Sequence, residues 1–359
     1  ASEAPAGAEA NSEAAALAET ETAEAASAGD PAKSEPFTFQ YWEDGAPALS
    51  ALTEYVDAVT DPANADFIPV EDRLAVFDMD GTIIAELDPM YFDYTIFCHR
   101  ILDDPDYKDI AAADMVQVAS EIREKSANGI PRGYEITHSE MLARAFAGMT
   151  IEEFKAYVLD FAEKDAQGFE GMKRVDSFYK PMLEVIKYLE ENDFTVYIVS
   201  GTDVWICRAL LSTCLDLPEN QIIGSITNLV ASGQGEKGML DYVYAKEDEM
   251  VRGDTFITKA IKMNKNFLIE EHIGQTPVLA FGNSSGDFSM LRLCTNNTEY
   301  RSESFFVIAD DAERDYGKES NRETYIPQME ESGWHYISMR DDWTTIYGEN
   351  VVKITETAD

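Results

Sequence analysis

Three short apolar runs in this chain share one habit: each ends abruptly in small and polar residues. Leu74-Ala75-Val76-Phe77 runs into Asp78-Met79-Asp80-Gly81-Thr82. Thr195-Val196-Tyr197-Ile198-Val199 runs into Ser200-Gly201-Thr202, and Val278-Leu279-Ala280-Phe281 into Gly282-Asn283-Ser284-Ser285-Gly286-Asp287. Near-continuous apolar runs mark strands buried on both faces, as in parallel sheets covered by helices. Segments of helical character at 182–189 and 205–215 flank the second run, and such alternation is the pattern of a doubly wound, Rossmann-like α/β domain. Residues 221–226 and 305–309 are expected as further strands. Leu49, Leu52, Tyr55, Val56 and Val59 have helical spacing, with Pro62 beyond the end. In sheets of this kind ligands bind beyond the carboxyl ends of the strands, where the chain order switches. The three polar tips therefore point to one site.

Composition limits what that site can serve. The chain has 359 residues, 45% of them hydrophobic, enough for a sizeable core, and a formal net charge of −40. Such a field repels polyanions, which argues against nucleic acid or an anionic membrane surface as partner. A phosphate-binding site here must bring its own positive charge, from a metal and a lysine. Cys98, Cys207, Cys214 and Cys294 are too few for a disulfide framework and are read as free thiols. No stretch has the apolar length needed to cross a bilayer.

Residues 1–36 are dominated by Ala, Glu, Ser and Thr and read as a solvated acidic tether. A start without Met before such a tether is expected when an export signal has been removed from a surface-anchored bacterial protein, or when a chain has been trimmed. Export is the reading carried forward, with any membrane contact only through an anchor no longer present. The core is expected at 37–85 and 176–350, with a short tail at 351–359. The long, mostly helical insertion at 86–175 is expected to form a cap that closes over the strand tips. It opens with Met90, Tyr91, Tyr94 and Phe97 and continues into polar helices at 138–146 and 151–162.

The Asp78-x-Asp80-Gly81-Thr82 turn carries the chemistry. Phosphoryl transfer needs an anionic nucleophile, a group that gives and then takes a proton, and cations over the phosphoryl oxygens. Two carboxylates one residue apart on a turn can both reach one metal, and Gly81 lets the backbone approach the ligand. The four histidines (His99, His138, His272 and His335) have no spacing suited to zinc.

Phe77-Asp78-Met79-Asp80-Gly81-Thr82 resembles the first motif of the haloacid dehalogenase superfamily, in its phosphatase branch. Val199-Ser200-Gly201 is similar to the second motif, and the run from Gly282 to Asp287 to the fourth. The chain is similar to exported, phosphoserine-phosphatase-like bacterial members through Trp42-Glu43-Asp44-Gly45, Pro89-Met90-Tyr91, the His272–Pro277 segment and the Asp311–Arg314 segment. The resemblance spans nearly all of 37–347. It implies a Mg2+-dependent phosphohydrolase acting on a small phosphomonoester through an aspartyl-phosphate. In it Asp78 attacks phosphorus, Asp80 serves as acid and base, and Ser200 bonds a phosphoryl oxygen. A lysine neutralises the phosphoryl charge; Lys259, Lys262 and Lys265 are candidates, and Lys265 has the spacing to His272 that similar proteins show. Magnesium would rest on Asp78, the backbone carbonyl of Asp80, Asn283 and water, with Asp287 as a ligand or just behind one. Thr82, Gly201, Glu86, Met90, Tyr91 and Arg208 are the expected substrate contacts, Arg208 for a second anionic group. Asn283 stands where an acidic residue is more usual, which predicts a weaker metal site. Glu86 lies one residue early for the glutamate that holds a phosphoserine amino group, so phosphoserine itself is not implied. The alternatives are a phosphotransferase or mutase using the same intermediate, or an idle surface binding protein of the same fold.

Overall fold

The computed structural model describes residues 37–86, 91–127, 129 and 131–354. Pro47–Thr60 forms α1, with proline at its start and Leu52, Tyr55, Val56 and Val59 buried on one stripe. This is the helix the spacing asked for. Strand β1 is Leu74–Phe77. The chain then crosses the insertion as four helices: α2 (Phe92–Leu102), α3 (Ala113–Ser126), α4 (Glu135–Ala145) and α5 (Ile151–Ala162). Helix α5 is started by a capping box in which Thr150 and Glu153 satisfy each other's backbone N–H groups. A two-residue strand β2 (Phe169–Glu170) precedes α6 (Lys180–Glu191).

From there strands and helices alternate. Thr195–Asp203 is β3, Val204–Leu211 α7, Ile222–Ala231 β4 and Met250–Thr258 β5. Met263–His272 is α8, Leu279–Gly282 β6, Phe288–Thr295 α9 and Glu303–Ile308 β7. Ser320–Ser332 is α10, His335–Ser338 β8 and Val352–Lys353 β9.

Seven strands make one sheet in the order β5-β4-β3-β1-β6-β7-β8, parallel except for β5. After β1 the chain builds outward on one side through β3 and β4. It then returns to the other side through β6, β7 and β8. The order thus reverses beside β1, which is where a crevice opens at the strand ends. On one face Phe77, Phe281 and Phe305 lie in register on adjacent strands. Their rings stack at 4.1 and 5.1 Å, with His335 continuing the ladder at 4.8 Å. On the other face Val76, Val199, Ala280 and Phe306 pack with Leu268, Leu291 and Met329 of the covering helices.

Two elements depart from expectation. The expected tail is not all tail: Val352–Lys353 pairs antiparallel with Phe169–Glu170, so the chain end ties down the return from the insertion. Residues 355–359 and the tether lie outside the described residues. Strand β5, absent from the expected set, adds an antiparallel edge to β4; Arg252, Gly253, Asp254 and Thr255 interrupt its apolar residues and hide it from a search for apolar runs. Residues from Phe39 onward gather in one compact unit, and β5 fastens the insertion to the sheet. Gly148 N–H donates to the Arg252 carbonyl, and Arg252 N–H to the Met149 carbonyl, both at 2.8 Å. Among the described residues no helix is long and apolar enough to cross a membrane.

The Arg252 side chain is buried, with its guanidinium forked onto Asp203 at 2.9 and 3.1 Å and lying 3.9 Å from the centre of the Phe154 ring of α5. A buried charge pair is most costly when only half is removed. Arg252→Met should therefore cost about 3–5 kcal/mol in urea denaturation, and the double variant with Asp203→Leu should recover most of it. Equal losses in the two variants would count against the pair.

Candidate active site

The tips of β1, β3 and β6 meet around one buried ammonium. Lys265, on the first turn of α8, is 1% exposed. Its Nζ lies 2.6 Å from Asp78 Oδ1, 2.7 Å from Asp287 Oδ1 and 2.6 Å from the Val199 carbonyl oxygen. All three donor positions are used. Burial disfavours the charge, but Asp287 and Asp78 hold the lysine above its ordinary pKa. Of the three candidate lysines this is the one that meets Asp78. Lys262 is exposed, with its backbone N–H bonded to the Gly286 carbonyl at 2.7 Å. Lys259 reaches the same cavity higher up.

Asp78 follows β1 directly, its N–H donating to the Phe281 carbonyl of β6 at 2.9 Å. With Oδ1 held by Lys265, Oδ2 meets only the Thr82 hydroxyl among the described residues, at 3.5 Å. Thr82 is fully buried beneath the turn and supports the carboxylate. Burial, and then the charge of Asp287, push Asp78 up to about 7 against the pull of Lys265.

Asp80 has different company. Its Oδ2 accepts from Thr202 Oγ1 at 2.8 Å and Ser200 Oγ at 3.3 Å, while Oδ1 is buried without a partner among the described residues. Ser200, expected to face phosphate, thus turns its hydroxyl to Asp80 and accepts from Thr202 N–H at 3.1 Å. Burial, and then the charge of Asp93, push Asp80 up to about 6 against the Thr202 hydrogen bond.

Asp287 is locked. Its Oδ2 accepts from Asn283 N–H, Ser284 N–H and Ser284 Oγ at 3.0, 2.9 and 3.2 Å, and its Oδ1 holds Lys265. With both oxygens engaged by protein donors, it positions the loop and the lysine. Gly81 has φ +78°, and a Cβ there would stand 1.8 Å from Asn283 Nδ2 and 2.7 Å from Glu86 Cδ; only glycine lets the turn, Asn283 and Glu86 nest. The closed pocket pushes Glu86 up to about 8, against a hydrogen bond from Asn283. Asn283 Oδ1, like Asp80 Oδ1, is buried and unpartnered.

Among the described residues no three His, Cys, Asp or Glu side chains converge as a metal cage. The donors on offer are mixed instead: the Asp78 carboxylate, the orphaned Asn283 and Asp80 oxygens, and more negative charge than Lys265 neutralises. Hard oxygen donors with surplus charge suit Mg2+, so the residues fit the ion.

These groups floor a cavity of about 90 Å³ whose walls include Gly201, Tyr91, Tyr94, Asp93, Glu135 and Lys259. Met90 lies outside the described residues. Arg208 does not reach the cavity. On α7 it faces the start of β4, donating to the Ile222 carbonyl at 3.4 Å and stacking on Trp205 at 4.6 Å, because the helix phase turns it away. Asp310 is likewise spent elsewhere, on Arg322, Ser338 and the Arg340 N–H. Thr202, Asp93 and Ser139 stand at the site without a motif that marks them. Asp93 had a signal: a lone carboxylate inside α2, whose other residues from Phe92 to Cys98 are all buried.

The α/β sheet thus has its switch point at β1, a carboxylate pair on that strand's tip and a buried lysine bridging it to the tip of β6. Residues 75–292 match the profile of the haloacid dehalogenase-like hydrolases, and the chain belongs to that family. No curated protein sequence matches it significantly. Among solved structures, it is similar to a conserved protein of unknown function from Anaerococcus prevotii DSM 20548, at 15% identity and TM-score 0.49, covering 84% of this chain and 94% of that one. Cytosolic 5'-nucleotidase IIIB bound to cytidine is similar at 12% identity and TM-score 0.46, covering 77% and 81%. A phosphoserine phosphohydrolase-like protein from Francisella tularensis subsp. tularensis SCHU S4 is similar at 13% identity and TM-score 0.36, covering 66% and 88%.

Gly81→Ala should expel Asn283 and Glu86 from their nest and strain the turn. Turnover should drop by about two orders of magnitude, on the scale of losing positioned groups, in a folded chain whose circular dichroism is unchanged. Parent-like turnover would show that the nest is dispensable.

Proposed function

We propose that this chain hydrolyses small phosphomonoesters through an aspartyl-phosphate on Asp78, with Mg2+ as its ion. One observation carries the reading. Asp78 is held at a strand tip with one oxygen bound to Lys265 and the other nearly free, and a second carboxylate two residues on faces the same cavity.

The division of labour follows from the contacts. Lys265 holds the Asp78 carboxylate by Oδ1 and the Phe281 carbonyl anchors the backbone N–H beneath it, so that Oδ2 is the attacking atom. Its bond to phosphorus forms as the ester P–O bond breaks, and the departing oxygen takes a proton from Asp80. Burial raises Asp80, which favours the protonated form that this step needs. The hydroxyls of Thr202 and Ser200 aim it. The same carboxylate then accepts a proton from water as that water attacks phosphorus, and the bond to Asp78 breaks to release phosphate. Asp78, Asn283 and the backbone carbonyl of Asp80 would hold Mg2+, which when bound neutralises charge on the phosphoryl oxygens. Asp287 keeps Lys265 in place throughout.

Removing the two carboxylates should fail in different ways. Asp78→Asn should give neither phospho-enzyme nor product. Asp80→Asn, offered an activated aryl phosphate whose leaving group scarcely needs a proton, should become phosphorylated and stall. Each turnover rate should fall by a factor of at least about 100, and chelation of magnesium should abolish turnover in the parent. Rapid-quench trapping of phosphoprotein separates the cases. Hydrolysis by Asp78→Asn at the parent rate would defeat the proposal. Transfer to added alcohols in place of water would point to a phosphotransferase.

A further inference from the structure

Resting on that reading, we infer that the leaving group carries a hydroxyl near the ester, as in a short polyol phosphate, and that Lys259 and Asp93 recognise it. Neither residue touches Asp78, although the charge of Asp93 helps to raise Asp80. Lys259 is 8% exposed and Asp93 3%, and both line the cavity above Asp80. Among the described residues the Lys259 ammonium makes one hydrogen bond, to Ser139 Oγ at 3.1 Å. It stands 3.8 Å from Asp93 Oδ2, close enough for charge attraction but too far for a hydrogen bond. An ammonium has three N–H donors, so two remain. Asp93 Oδ1 has no hydrogen-bond partner among the described residues, although the Tyr94 backbone N–H lies near enough to the carboxylate to favour its charge. His138 does not supply one. Its Nε2 bonds the Asp93 backbone carbonyl at 3.1 Å and so carries the ring proton, leaving Nδ1 as an unpartnered acceptor 3.8 Å from Asp93 Oδ2.

A buried donor and a buried acceptor left open side by side each cost free energy until a ligand fills them. An ammonium on the ligand would satisfy Asp93 but lie against Lys259. A carboxylate or second phosphate would satisfy Lys259 but lie against Asp93, with Asp80 on the same cavity. A hydroxyl accepts from one and donates to the other, with no net charge to bury. Tyr91 and Tyr94, edge to face at 5.7 Å on the same wall, offer apolar surface to the carbons between. At about 90 Å³ the cavity suits a short chain.

The test uses the full chain with magnesium and compares kcat/KM for glycerol 3-phosphate, propyl phosphate, phosphoethanolamine and phosphoglycolate, with an activated aryl phosphate as reference. Glycerol 3-phosphate should exceed propyl phosphate by about tenfold or more, the scale of a hydrogen bond to a charged group, and should exceed both charged esters. Lys259→Met and Asp93→Ala should each shrink the glycerol-to-propyl ratio at least threefold. Equal use of the glycerol and propyl esters, or preference for the ethanolamine or glycolate ester, overturns the inference. So does an unchanged ratio in folded variants. The preference of the parent needs no variant, so a substituted chain that fails to fold leaves the test intact. If the parent cleaves none of the esters, the aryl phosphate included, it is the phosphohydrolase reading that fails.

Discussion

The ammonium of Lys265 is the point on which this molecule turns. One cation in a dry interior binds Asp78 after β1, the Val199 carbonyl of β3 and Asp287 after β6. Those three strand tips come from parts of the chain that only the sheet brings together. Without the lysine, two carboxylates would face each other with no counter-charge, a situation that costs several kcal/mol and drives protonation. The lysine in turn needs the carboxylates, since burial alone would strip its proton. The meeting of the central strands and the charge state of Asp78 are therefore coupled.

The surrounding layers hold that arrangement to tolerance. The Phe77, Phe281 and Phe305 ladder ends one residue short of Asp78 and Gly282 on its strands. Stacked rings across parallel strands fix the register, and a register error would move the carboxylate away from its lysine. The backbone amides of Asn283 and Ser284 bind Asp287 Oδ2, so the loop after β6 is set by the same residue that braces the lysine. In a chain of net charge −40, such local fixing is what allows a site to accept an anion.

Much of this was legible in the sequence, and the boundary has a physical cause. Apolar runs with polar ends gave the central strands and the place where they converge, because burial on both faces leaves a plain signature. Lys265 could be chosen over Lys259 and Lys262 only through the resemblance; its 2.6 Å contact with Asp78 depends on where α8 begins. Arg208 was misplaced because residues on one helix turn differ in facing by wide angles. Strand β5 and the β2–β9 pair lack apolar runs, being edges that owe their existence to partners far along the chain. Asp93 and Lys259 lie 166 positions apart, and no local pattern links them.

The seam along β5 bears on how selectivity is achieved. The backbones of Gly148 and Met149 pair with Arg252, whose guanidinium is pinned between Asp203 and Phe154. The half of the insertion formed by α4 and α5 is thus fastened to the sheet, and Ser139, on α4, meets Lys259 from that fastened half. On the proposed function, a wall built this way would be shaped before an ester arrives, and discrimination would be decided at entry instead of being assembled by closure. An enzyme of that kind would forgo the extra fidelity that a folding lid confers. In exchange, little of its binding energy would go into reshaping itself.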